Sequence, residues 1–179
     1  FKKENKYGLD ISKEYLKIAQ SKGINVCLAK IEDIPYKENI FDVISCTDVL
    51  EHVIDLNLSI KNILKVLKKN GYLIIRVPYN EDLGAYLEDD FPYELVHLRK
   101  FDEDSLRLQF EKIHDARVIE WTYTGHTEGI VKHGSKFKIY RVLIKLFFNS
   151  LKKINPSLRK FLARKINKPE EINMVIQKK

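Results

Sequence analysis

Four short runs decide how this chain folds: Tyr7-Gly8-Leu9-Asp10, Ile24-Asn25-Val26-Cys27-Leu28, Phe41-Asp42-Val43-Ile44-Ser45-Cys46 and Tyr72-Leu73-Ile74-Ile75-Arg76-Val77. Each is rich in β-branched or aromatic residues, and helical periodicity fills two of the intervals between them. Strands alternating with helices predict βαβ units and a mainly parallel sheet. Working outward, the helix after Asp10 opens at Ser12, repeats Tyr15, Ile18 and Ala19 on one stripe, and stops at Lys22-Gly23. The helix after Asp55 buries Leu58, Ile60, Ile63, Leu64 and Leu67 and is expected to end at Asn70-Gly71.

Beyond Val77-Pro78 the stretch Tyr79 to Lys100 is irregular, acidic and aromatic, too long for a simple connector; loops of that kind usually carry function. A helix follows from about Asp102, carrying Ser105, Leu106, Leu108, Phe110 and Ile113. Strands are expected at Ala116 to Thr124 and at Ile172 to Gln177. Between those two strands, residues 129–169 hold twelve Lys or Arg and no Asp or Glu. The formal net charge of +7 is therefore concentrated there, on an otherwise mildly acidic chain. Lys138, Arg141, Lys145 and Lys152 share one stripe of a helix, and Asn155-Pro156 starts a second amphipathic one. A basic helical insertion within a single domain, 1–179, is the expectation.

A length of 179 residues and 44% hydrophobic content suit one domain with a real core and exclude global disorder. The start at Phe1 lacks a secretion-type apolar core. No run approaches the roughly 20 apolar residues of a spanning helix, the nearest being Val142 to Phe148 interrupted by Lys145. Cys27 and Cys46 end apolar strands, as small buried thiols of a reducing compartment do, so the expected location is cytoplasmic, or peripheral to a membrane through the basic insertion.

In order and spacing, Tyr7-Gly8-Leu9-Asp10-Ile11-Ser12, Glu32-Asp33-Ile34-Pro35-Tyr36, Phe41 to Cys46, Val49-Leu50-Glu51-His52-Val53 and Leu67 to Pro78 closely resemble class I S-adenosylmethionine-dependent methyltransferases. The similar group includes the ubiquinone-biosynthesis-type (type 11) small-molecule enzymes, and His97-Leu98-Arg99-Lys100-Phe101 resembles its segment after the sheet. The resemblance implies a Rossmann-like α/β fold, doubly wound on a mainly parallel sheet ordered 3-2-1-4-5-7-6 with the seventh strand antiparallel. On that map Tyr7 to Asp10 is the second strand, and the first strand with its glycine-rich turn is not in the sequence. Strands two and four would then stand roughly 10 Å apart, which predicts some tens of further residues upstream. The same order separates Cys27 from Cys46 by roughly 14 Å, too far for a disulfide.

The resemblance also implies a site. S-adenosylmethionine is the implied cofactor, with Asp10, Ile11, Ile31, Glu32 and Cys46 as its contacts. A carboxylate at a strand tip can accept both ribose hydroxyl protons, so Asp10 is the leading contact. It would equally serve a helix cap, or the ribose of a nicotinamide dinucleotide. Lys30 stands where the family places the acid that reads the adenine amine, and a lysine cannot accept that proton. Either Glu32 substitutes or the backbone of Ile31 does the reading. Cys46 reads as a spacer rather than a nucleophile. His52 and His97 are the candidate bases or acceptor ligands, each with a structural histidine as the alternative, and Tyr79, Tyr86 and Tyr93 are candidate aromatics near the methyl group. No metal is expected, including at His126 and His133.

The implied activity is methyl transfer to a small-molecule or lipid-linked acceptor. The alternative is a non-catalytic methyltransferase-like binding module that docks to anionic membrane or another polyanion. Residues 132–168 can serve as a substrate lid, a contact with anionic membrane, or a solvated cover for the sheet edge; nucleic acid is the weakest partner, because there is charge without a reading motif.

Overall fold

In the computed structural model, residues 6–87, 95–125 and 169–179 are described. Tyr93, His126, His133 and nearly all of the basic insertion therefore lie outside the described residues. The elements run β1 (Tyr7–Asp10), α1 (Lys13–Ser21), β2 (Asn25–Leu28), a 3₁₀ turn (Ile31–Asp33), β3 (Phe41–Thr47), α2 (Leu56–Val66), β4 (Leu67–Pro78), a second 3₁₀ turn (Leu83–Leu87), α3 (Glu103–Arg107) continuing as a π-helix (Leu108–Ile113), β5 (Ala116–Thr124) and β6 (Glu171–Lys178).

These strands form a two-stranded sheet, β1-β2, and a four-stranded sheet, β3-β4-β6-β5. β1 runs parallel to β2 and β3 parallel to β4, whereas β6 is antiparallel to both β4 and β5. This is the expected order with its central strand omitted. Among the described residues no ladder joins the two sheets. They meet instead through edge-on rings, Tyr7 with Phe41 at 5.5 Å and Tyr36 with Phe41 at 5.2 Å between centroids.

The four-stranded sheet is one-sided. Leu73, Ile75 and Val77 of β4 and Ile172, Met174 and Ile176 of β6 are completely buried, and they pack on Leu50, Ile60, Ile63, Leu106 and Phe110. Val43, Tyr72, Ile74 and Ile119 on the opposite face are exposed. Period-two alternation makes this division, and each aliphatic side chain fully buried contributes about 1.5–3 kcal/mol.

Caps fix the helices. The Ser12 side chain accepts the Tyr15 N–H, and that of Asp55 accepts the Leu58 N–H at 2.9 Å. Asp102 and Ser105 form a reciprocal capping box. Four details depart from the sequence reading, one of them Leu58, expected on the buried stripe of α2 but exposed. In α1 the buried residue is Leu16, while Tyr15 and Ile18 are exposed, because a sheet only two strands wide offers the helix a narrow seat. α2 ends at Val66 rather than at Asn70-Gly71. Those two residues instead shape a bulge early in β4: Asn70 is left-handed (φ 61°), and a Cβ on Gly71 would lie 2.9 Å from the Asp42 and Lys68 carbonyl oxygens. In the helix after Asp102, Leu106 and Phe110 are buried but Leu108 and Ile113 are exposed, because the last turns widen into a π-helix.

Candidate functional site

The carboxyl ends of parallel strands collect the candidate residues, as open α/β sheets dictate. Asp10 closes β1. Its Oδ1 accepts the Ser12 N–H at 2.7 Å, and its Oδ2 has no partner among the described residues. Ser12, not Asp10, caps α1, so the carboxylate is half committed to its own turn and half available. Ile11 follows with its side chain 67% exposed. After β2, Ile31 and Glu32 lie in the first 3₁₀ turn, held to α2 by the Asn62 side chain, which donates to the Glu32 carbonyl at 2.6 Å. Lys30 precedes that turn and is exposed.

Cys46 sits near the end of β3, buried. Burial, then the nearby Glu51 and Asp48 charges, push its thiol up to about 12. It is therefore a neutral spacer at neutral pH, not a thiolate. Asp48, left-handed at φ 55°, receives both Arg76 Nε (3.1 Å) and Arg76 Nη2, and its backbone N–H donates to the Arg76 carbonyl. This pins the start of the loop after β3 to the neighbouring strand.

That loop is then tied to residues 95–101. The Leu98 N–H donates to the Glu51 carbonyl at 2.8 Å, and the Arg99 guanidinium donates to the carbonyls of Leu50 (2.7 Å) and Ile54 (3.1 Å). His52 Nδ1 donates to the Val96 carbonyl at 3.1 Å; a carbonyl only accepts, so the proton sits on Nδ1 and the lone pair on Nε2. The clamp brings His52 and His97 together, with ring centroids 4.5 Å apart and planes at 71°.

His97 is oriented from behind. Its Nδ1 meets Glu81 Oε2 and, at 2.8 Å, the Tyr86 hydroxyl, which also donates to Glu81 Oε1 at 2.8 Å. Burial, and then the hydrogen bond to Glu81 and its charge, raise the Tyr86 hydroxyl well above the usual phenol range, so it remains a donor. With Glu81 taking the Nδ1 proton, the Nε2 lone pair of His97 is also free. Glu51 completes the group: it is 1% exposed, its Oε2 has no hydrogen-bond partner, and burial pushes its carboxyl up to about 7.

The structure thus unites His52 with His97, and adds Glu51, Glu81 and Tyr86. Asp10 stays at the end of β1, Ile31 and Glu32 share the turn after β2, and Cys46 lies near the end of β3. Tyr79 lies elsewhere, packed edge-on against Tyr123 at 4.9 Å. Sequence reasoning missed Glu81: sixteen residues from His97 in an irregular stretch, it carries no spacing signal.

Residues 2–75 match the methyltransferase domain family. Over 72 residues the chain is 43% identical to an uncharacterized protein of Methanocaldococcus jannaschii, spanning 40% of this chain and 35% of that protein. It is 27% identical over 152 residues to the ubiquinone/menaquinone biosynthesis C-methyltransferase of Shewanella halifaxensis, covering 68% of this chain and 59% of the relative. The chain thus spans between about a third and three fifths of the length of these relatives. Among solved structures, a SAM-dependent methyltransferase of Thermotoga maritima superposes with a TM-score of 0.59 at 20% identity, over 97% of this chain and 73% of that one. With the ordered motifs from Tyr7 to Pro78 and the β3-β4-β6-β5 sheet, these likenesses show that the chain has the fold of the class I S-adenosylmethionine-dependent methyltransferases and that residues 2–75 are similar to the methyltransferase domain family.

Proposed function

We propose that the protein transfers a methyl group from S-adenosylmethionine to a small-molecule or lipid-linked acceptor. The observation that carries this reading is the half-available carboxylate of Asp10, at the tip of a parallel strand in a chain with this family's motifs. The residues fit the cofactor in part. Asp10 Oδ2 suits a ribose hydroxyl and the buried, neutral Cys46 suits a close-packed wall, whereas Lys30 does not suit the adenine amine, leaving the turn at Ile31 and Glu32 to hold that end.

When bound, S-adenosylmethionine supplies a methyl group on a sulfonium that is already electrophilic. The protein's part is then alignment and the exclusion of water. His52 and His97 keep Nε2 lone pairs that can take a hydrogen bond from the acceptor's nucleophilic atom. Glu81 and Tyr86 hold the His97 ring for that contact. A lipid-linked acceptor is supported by the similarity to a quinone-biosynthesis enzyme and by the basic and aromatic composition of residues 132–168, which suits anionic membrane.

A non-catalytic module of the same fold is the second reading, favoured by the exposed Lys30 at the adenine position. Calorimetric titration of S-adenosylhomocysteine into the intact protein tests the first. Binding is expected, and Asp10→Ala should remove it with only a small change in the melting temperature. A protein that binds no S-adenosylhomocysteine would leave only the module.

A further inference from the structure

We propose that Glu51, His52 and His97 form a binding site for a divalent transition-metal cation of the zinc type. This goes beyond methyl transfer and does not depend on it. The three residues each offer one ligand atom, and these atoms all lie within 4.8 Å of one another.

The donor set is two imidazole nitrogens and one carboxylate oxygen, the combination that suits zinc and its first-row neighbours rather than magnesium or calcium. Both rings are prepared for it. Each gives its Nδ1 proton to an oxygen, His52 to the Val96 carbonyl and His97 to Glu81, which leaves the Nε2 lone pairs as the uncommitted atoms. A carbonyl or carboxylate behind each ligating imidazole is the outer arrangement metal sites use to fix tautomer and ring angle.

Glu51 supplies the independent indication. It is a carboxyl group 1% exposed, with Oε2 lacking any hydrogen-bond partner, beside two imidazoles. A buried polar atom left without a partner is unfavourable, and a cation held between the three groups would satisfy it. Arg99, the cation of the loop clamp, is spent on the Leu50 and Ile54 carbonyls.

Geometry permits closure. Tetrahedral bonds of about 2.1 Å put ligand atoms about 3.4 Å apart, so side-chain rotations moving them by roughly an ångström suffice. Three protein ligands leave a fourth position open, where the oxygen of an acceptor or a water can bind. In the metal-bound form the acceptor's oxygen would meet the ion, and the imidazoles would hold the ion rather than the acceptor.

The test uses the intact protein, stripped with a chelator and titrated calorimetrically with Zn²⁺, with Co²⁺ added separately and its visible absorption recorded. One equivalent of Zn²⁺ should bind, with a rise in melting temperature, and Co²⁺ should give the intense bands of a four-coordinate nitrogen and oxygen site. Glu81→Gln, which meets His97 and Tyr86 and is not itself a ligand, should weaken binding by about 10- to 100-fold. Glu51→Gln and His97→Ala should weaken it more, and His126→Ala with His133→Ala should leave it unchanged. Circular dichroism checks that each variant is folded; Glu81→Gln keeps the test decisive should a ligand variant fail to fold. The proposal is overturned if the folded protein binds no Zn²⁺, or if its affinity is the same in Glu81→Gln and in the folded ligand variants.

Discussion

The two sheets are held in different ways. In the four-stranded sheet, β4 and β6 bury every second residue over residues 73–77 and 172–176, and Phe110, Leu106, Ile60 and Ile63 seal that face. In the β1-β2 sheet no strand residue is fully buried, and α1 contributes only Leu16. Yet the smaller sheet carries Asp10, the residue on which the cofactor reading rests. The proposed cofactor contact thus sits on the less stabilised half, while the larger half supplies the frame for Glu51, His52 and His97. Regions with few buried contacts open at lower free energy, and ligand-binding elements are commonly drawn from them.

The contrast can be broken most forcefully in the core. Phe110→Ala should cost about 3–5 kcal/mol in chemical denaturation, whereas Leu16→Ala should fall near about 2 kcal/mol, the low end for a leucine truncation. Equal costs would mean that the two sheets unfold as one unit. Hydrogen exchange sharpens the same point: amides of β4 and β6 should exchange far more slowly than those of β1 and β2.

Next in size is the capping box at α3. Asp102→Ala should lower stability by about 1 kcal/mol at neutral pH. The backbone N–H and hydroxyl of Ser105 hold the Asp102 carboxyl below its usual range, so this stabilisation is present above the unfolded pKa and is lost as pH falls through the folded one. Wild type and variant should therefore converge in acid.

A still smaller change is expected for Asp10→Ala in the absence of ligand. Its side chain keeps one bond, to the Ser12 N–H, and sits at a part-exposed turn, so unfolding should shift by no more than about 0.5 kcal/mol. A larger loss would make Asp10 a structural residue and would weaken the cofactor assignment.

The smallest effect is at His114, where burial lowers the imidazole pKa and Nε2 lacks a partner. Folding then favours the neutral ring; its contribution is present above the unfolded pKa and declines as pH falls through the folded one. His114→Phe should flatten the stability profile just below neutrality, measurable as a shallower slope of melting temperature against pH.

Much of the framework was legible because local chemistry decides it. Asp55 and Asp102 each stand before an apolar-periodic run and do cap their helices, and the expected strand from Ala116 to Thr124 coincides with β5. What was not legible depends on neighbours far along the chain. Tyr15 and Ile18 form a plausible stripe, but the width of the sheet beneath α1 chose Leu16. Asn70-Gly71 has the composition of a helix stop, and only the approach of the Asp42 carbonyl shows why a glycine is needed in a strand. At the site, both histidines were visible as residue types, whereas the orphaned oxygen of Glu51 and the support of Glu81 required the fold.

The Arg99 clamp has a consequence for how this site can diversify. Arg99 grips main-chain oxygens of Leu50 and Ile54, and the Leu98 amide grips that of Glu51, so the grip reads backbone rather than side-chain identity. Ile54, 86% exposed, can be exchanged for almost any residue without loosening it. Sequence drift along this loop is thereby uncoupled from the placement of His52 and His97, and a lineage can change the loop's surface while inheriting the same pair of rings in the same orientation.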